Sequence, residues 1–177
     1  MKRILTLSFA FILFSINLFA SSGDTLTIRV HNRTHMNYYG SFDQKAKFPS
    51  GDTSFRKAWL YFTIGCPDNG CSQWDYTTKI FIRRPTGKLD TLGKEIKEDV
   101  ELARYITPYA GGSQKDFSRL FRMDVTDYLP LLKDSVEIRL FYEGYSDGFA
   151  VTTDFQLIKG TPTRKSIAVE NVYSGYF

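Results

Sequence analysis

The chain has 177 residues, a formal charge of +4 and 16% aromatic residues, including 15 Phe and 11 Tyr but only two Cys and two His. Two of the positive charges, Lys2 and Arg3, fall at the very start. The rest of the chain is therefore nearly balanced, which excludes the basic footprint of a nucleic-acid-binding domain. Two Cys, two His and three Met are also too thin a supply for a zinc or copper centre, so no metal and no other cofactor is expected.

Residues 1–20 read as an export signal. Lys2 and Arg3 precede an apolar stretch over residues 4–19, diluted by Thr6, Ser8, Ser15 and Asn17, and Ala20, Ser21 and Ser22 offer small residues for cleavage. The stretch is short and polar for a membrane anchor. No Cys follows it that could carry a lipid. The expected product is periplasmic or secreted, free of the membrane after cleavage, in a compartment where disulfides persist.

Period-2 alternation then dominates. Leu26, Ile28 and Val30 share one face, opposite Thr25, Thr27 and Arg29. Residues 40–56 are polar and irregular. Ala58, Leu60, Phe62 and Ile64 alternate with Trp59, Tyr61 and Thr63, and the run Cys66-Pro67-Asp68-Asn69-Gly70-Cys71 follows. Pro presets φ while Asn and Gly tolerate positive φ, so this is a turn that brings the two sulfurs within reach of a disulfide. Thr78, Ile80 and Ile82 resume the alternation, and the two runs read as a hairpin-like pair joined by the stapled loop. Residues 90–101 are again polar and irregular.

Further strands are expected over residues 104–107, 120–125, 136–143 and 149–158. Pro85-Thr86-Gly87, Gly111-Gly112-Ser113 and residues 144–148 provide punctuation. One helical turn is expected over residues 126–133, capped by Thr126 or Asp127. Many short strands and almost no helical periodicity predict an all-β antiparallel sandwich or jelly roll, one domain over residues 21–165. After Gly160-Thr161-Pro162, residues 166–177 are apolar and aromatic, with Val169, Val172, Tyr173, Tyr176 and Phe177. They are read either as a final strand or as the start of a second domain.

The chemistry concentrates beside the cysteine turn, where Trp74 and Asp75 adjoin. A carboxylate on a stapled loop next to a flat ring suits contact with a sugar. The same residues equally describe a stapled hairpin with a surface acid and an aromatic packed beneath it.

Cys66-Pro67…Cys71 followed by Trp74-Asp75 resembles the amino-terminal domain of the peptide-N-glycosidase F family. So do Arg104-Tyr105-Ile106-Thr107-Pro108-Tyr109, Asp124-Val125-Thr126-Asp127-Tyr128, the run over residues 136–143 and Gly160-Thr161-Pro162, in the same order over residues 55–168. The resemblance implies a secreted bacterial amidase that cleaves between asparagine and the first N-acetylglucosamine of an N-glycan. It implies an eight-stranded jelly roll related to copper-dependent peptide monooxygenases, with a second such domain beside it, in cis or in trans, completing the cleft. N-linked glycans or glycopeptides are the implied ligands. By position the catalytic acid is Asp75, with Glu143 as a second cleft carboxylate and Trp74, Tyr76 and Tyr145 as substrate contacts. The family pattern has a basic residue where Tyr76 stands, and tryptophans where Ala110 and Tyr145 stand. A further essential glutamate belongs to the second domain, beyond this chain. The alternative is a secreted, non-catalytic carbohydrate-binding or interaction module of the same fold.

Overall fold

A computed structural model describes residues 23–109 and 116–172 of the chain. The expected export signal, the expected turn at Gly111-Gly112-Ser113, Ala110, Tyr173, Tyr176 and Phe177 lie outside the described residues. In chain order the strands are β1 (Thr25–Met36), β2 (Gly40–Lys47), β3 (Phe55–Gly65), β4 (Thr77–Leu89) and β5 (Glu95–Ile106). Then come β6 (Ser118–Asp124), a 3-10 turn (Thr126–Leu131), β7 (Ser135–Tyr142) and β8 (Phe149–Lys159). All pairings are antiparallel, in two four-stranded sheets ordered β1-β8-β3-β6 and β2-β7-β4-β5. That order is a jelly roll, in which consecutive strands hop between layers, with β4 and β5 alone pairing as neighbours in sequence.

The alternation seen in the sequence becomes the core. Leu60, Phe62 and Ile64 on β3, Val151, Phe155 and Leu157 on β8, Ile80 and Ile82 on β4, and Ile138, Leu140 and Tyr142 on β7 are all buried between the sheets. Each such side chain contributes roughly 1.5–3 kcal/mol through burial. The outer face of the second sheet is held differently, by charge. Arg83 on β4 reaches Asp43, Asp99 and Glu137 at 2.9, 2.9 and 3.0 Å, and Arg139 on β7 reaches Asp43 and Asp99 at 2.7 and 2.9 Å. The Arg139 guanidinium, by hydrogen bond and charge, holds the Asp43 carboxyl below the usual carboxylate range.

Three expectations are corrected. β3 and β4 do not form a hairpin: β3 pairs with β6 and β8, β4 with β5 and β7, and the stapled loop crosses from one sheet to the other. Two alternating runs in sequence cannot distinguish a hairpin from an interlayer crossing. The polar stretches at 40–56 and 90–101 are not irregular either, since they hold β2, the start of β3 and most of β5. Their outward charges belong to the lattice around Arg83 and Arg139, so charge pairing supplies what apolar alternation supplies elsewhere. The 3-10 turn is capped by neither Thr126 nor Asp127. Instead the Thr126 amide donates to Asp124 Oδ1 at 3.0 Å, while Asp127 accepts from Arg164 and Ser166.

Residues 160–172 carry no helix or strand. They run along the sandwich through the Arg164–Asp127 pair at 2.8 Å, a bond from Arg84 to the Val169 carbonyl at 3.2 Å, and one from Asn171 to the Asp99 carbonyl at 3.1 Å.

Candidate functional site

Met36, Gly40, Gly65, Thr77, Ile106, Ser118, Tyr142 and Phe149 bound the strands at one end of the sandwich. The loops over residues 37–39, 66–76, 107–109 and 143–148 gather there. Asp75 and Glu143, 68 positions apart, thus share one end of the fold. Every Tyr and Trp among the exposed large side chains of the described residues is there too: Tyr38, Tyr39, Trp74, Tyr109 and Tyr145.

The loop bearing Asp75 is fixed at both ends. Cys66 and Cys71 are disulfide-bonded, with Cα atoms 4.5 Å apart, and both are buried. Within the turn the Gly70 amide donates to the Pro67 carbonyl at 2.9 Å, with Gly70 at φ 100°, a conformation that favours glycine. Beyond Asp75, the Tyr76 amide donates to Thr107 Oγ1 and the Thr107 amide donates to the Tyr76 carbonyl, both at 2.8 Å. Thr107 is buried. Between these anchors Asp75 is exposed, and among the described residues its carboxylate has no hydrogen-bond or ion-pair partner. Trp74 is 59% exposed and meets Tyr109 edge-on, with ring centroids 5.7 Å apart. It does not pack beneath the turn. Tyr76 does face inward: half-buried, it packs on the core and lies edge-on to Tyr142 at 5.7 Å.

Glu143 follows the last residue of β7, and its amide donates to the Thr77 carbonyl at 3.0 Å, two residues beyond Asp75. Its carboxylate is half-buried and paired with Lys79 Nζ at 2.5 Å. The two acids therefore differ in state, one open to solvent and one neutralised by an ammonium. Tyr145 is 74% exposed and stacks on Tyr39 with centroids 5.4 Å apart and planes 16° off parallel.

Ser72, Tyr142, Ser146 and Gly148 hold the two loops together. The Ser72 amide donates to the Gly148 carbonyl at 2.9 Å, Ser146 Oγ donates to Ser72 Oγ at 2.6 Å, and the Tyr142 hydroxyl lies 3.2 Å from Ser146 Oγ. Burial raises the pKa of Tyr142, so its hydroxyl stays protonated. No local motif marks Ser146, and none gives Ser72 or Thr107 a role; their roles come from loops that meet only in the folded protein. Gly148, at φ 73°, has no room for a side chain, because a Cβ there would lie 1.6 Å from the Met36 carbonyl oxygen.

His31 is fully buried, with Nδ1 2.8 Å from Thr153 Oγ1 and Nε2 3.1 Å from the Phe42 carbonyl, and so ties β1 to β2. His35 Nε2 is bonded to the Asp147 carbonyl. Among the described residues no three His, Cys, Asp or Glu side chains are grouped to hold a metal ion.

No protein-family model matches the chain. Over 155 residues it is 26% identical to the peptide-N(4)-(N-acetyl-beta-D-glucosaminyl)asparagine amidase F of Elizabethkingia miricola, covering 85% of this chain and 41% of that protein. It thus spans less than half the length of that relative. Among solved structures, PNGase F, a glycosylasparaginase from Flavobacterium meningosepticum, superimposes with a TM-score of 0.63 at 27% identity, over 80% of this chain and 44% of that one. PNGF-II superimposes with a TM-score of 0.62 at 16% identity, over 80% of this chain and 35% of that one, a likeness of fold.

Proposed function

The chain is a domain of the peptide-N-glycosidase F family, and from that premise we propose that it forms one wall of the cleft of an exported amidase acting on N-linked glycans. The observation that carries this reading is the state of Asp75. Its carboxylate is solvent-open and unpaired among the described residues, on a loop fixed by a disulfide and by Thr107, at the one end where the exposed Tyr and Trp side chains gather. Hydrolysing the link between asparagine and N-acetylglucosamine needs a base to activate water and groups to carry the charge that develops. In this reading Asp75 takes a proton from water as the water oxygen bonds to the side-chain carbonyl carbon. The carbon–nitrogen bond then breaks as the nitrogen takes up that proton, leaving an aspartate in the peptide and the amino group on the sugar. Glu143, held by Lys79, contacts the sugar and supports the charge.

The rest of the cleft belongs to a second domain, in cis or in trans. The test is glycan release from a denatured N-glycoprotein by the chain complemented with the remaining part of a relative. Activity is expected only on complementation, and Asp75→Asn is expected to lower it about 10²–10⁴-fold. Release at an undiminished rate by Asp75→Asn would remove the assignment.

A second reading, a carbohydrate-binding module without catalysis, is favoured by the Glu143–Lys79 pair, which leaves Asp75 as the one unpaired carboxylate of the two. Retention of glycans with no release on complementation would select it.

A further inference from the structure

At the end of the sandwich opposite the Asp75 loop, three segments distant in sequence enclose a cavity of about 480 Å³. Its walls are the β2–β3 connection at residues 49–55, the 3-10 turn with the two residues after it, and residues 161–166 beyond β8. β3 runs from Phe55 in this cavity to Gly65 beside the cysteine turn, so roughly 30 Å separates the two ends. Each wall is pinned. The Phe48 amide donates to the Asp134 carbonyl at 2.6 Å, and the Asp134 amide donates to the Pro49 carbonyl at 3.3 Å. The Gly160 amide donates to the Ser54 carbonyl at 3.2 Å, and Ser54 Oγ donates to the Gly160 carbonyl at 3.1 Å. Asp127 holds Arg164 and Ser166, each at 2.8 Å.

The cavity is lined by apolar and by basic side chains. Phe55 and Leu132 are buried around it, and Leu129, Pro130 and Pro162 are half-buried. Apolar walls with a few convergent polar groups, at this volume, are what a small-molecule site needs. The charged side chains that line it are Lys133, Arg164, Lys165 and one acid, Asp52. Arg164 is already neutralised by Asp127. Lys133, Lys165 and Asp52 are exposed and have no hydrogen-bond or ion-pair partner among the described residues. Two ammoniums against one carboxylate leave a single positive charge, the complement of a carboxylate monoanion rather than of a phosphate dianion. We propose that this cavity binds a small amphipathic carboxylate, with its apolar body against Leu129 and Pro162 and its head group at Lys133 and Lys165. Such a ligand holds residues 161–166 against the sandwich, just where the chain leaves β8. The Asp75 end takes no part in it.

The experiment titrates the full chain with octanoate and with phenylacetate, reading the Leu129 and Leu132 methyl resonances by NMR, with acetate and octanol as controls. The two acids offer the same head group on a chain and on a ring, and the tighter one shows which source of the carboxylate fits. Saturable shifts at millimolar concentration or below are expected for at least one acid. Acetate, which lacks the body, and octanol, which lacks the charge, are expected to bind at least about tenfold more weakly. Lys133→Ala and Lys165→Ala alter exposed side chains, so the fold is kept, and each is expected to weaken binding about fivefold. Gly51→Leu blocks the cavity without changing its charge, since a Cβ at Gly51 meets only the Lys133 side chain, at 3.9 Å, and is expected to abolish binding. Octanol bound as tightly as octanoate, or unchanged affinity when both lysines are replaced, would overturn the carboxylate site. So would the absence of shifts at millimolar concentration. Loss of octanoate binding when the chain is complemented by the remaining part of a relative would make the cavity a contact between domains instead.

Discussion

Ser146 Oγ donates to Ser72 Oγ at 2.6 Å, joining loops 74 positions apart. The contact lies between the disulfide and Asp75 on one side, and just beyond Glu143 on the other. Neither acid touches it, yet it sets how their loops meet. Ser146→Ala is expected to cost about 1–3 kcal/mol, since buried Ser72 loses that partner. Amide hydrogen exchange should rise over residues 72–76 and 143–148 and stay unchanged in β3 and β8. Equal loosening throughout would show that the contact is not local.

The disulfide closes a loop of only a few residues, so its loss is expected to cost about 2 kcal/mol. Reduction, or joint substitution of Cys66 and Cys71 by Ser, should lower the melting temperature by several degrees while the strand signal in circular dichroism persists. The core between β3, β4, β7 and β8 supplies most of the burial. A chain that melts at room temperature on mild reduction would contradict this.

Thr78 is fully buried, and its hydroxyl is the one buried side-chain polar atom among the described residues without a hydrogen-bond partner. Val has nearly the same shape and nothing to desolvate. Thr78→Val is expected to be neutral or to stabilise by about 1 kcal/mol, as measured by denaturant unfolding. A loss of more than that would mean that the hydroxyl has a partner.

Burial pushes the His31 imidazole below its ordinary pKa, against the smaller opposing effects of the Phe42 carbonyl and Asp43. The unfolded chain therefore binds a proton near pH 6.5 that the folded chain refuses until lower pH. Stability is complete above that range and falls, by up to about 1.4 kcal/mol per pH unit, as the pH drops toward the folded value. A second decline, near the ordinary carboxylate range and below it, follows from Asp43, whose folded pKa is depressed by Arg139. Urea midpoints measured from pH 8 to 3 should show both phases, and His31→Gln should abolish the first alone. A profile flat from pH 7 to 5 would contradict the buried neutral imidazole.

The alternation of β3, β7 and β8 was legible because each places a continuous apolar row against the core. That of β2 was not: as an edge strand it buries only Phe42 and Ala46, each in part. β5 was obscured by Glu98 and by a bulge opposite Ile80 and Phe81, which shifts its inward row from Val100 and Leu102 to Ala103 and Tyr105. At the candidate site, the cysteine turn, Asp75 and Glu143 could be named from the sequence because each lies in a recognisable run. Ser72, Ser146 and the left-handed Tyr38–Tyr39 turn could not, nor could the role of Thr107 within its run, since each depends on a backbone carbonyl or amide supplied by a distant loop.

The pairing of β1 with β8 sets Thr25 beside Ile158, almost the full span of the described chain. The first sheet therefore cannot be completed until synthesis has nearly finished, because its opening strand must wait for its last. Topologies with such long-range contacts fold in milliseconds to seconds rather than microseconds. The cysteines, five positions apart, meet without waiting for any of this. A chain entering an oxidising compartment thus passes through a stage in which the Asp75 loop can already be oxidised while β1 remains an unpaired strand, the stage at which association between chains competes with closure.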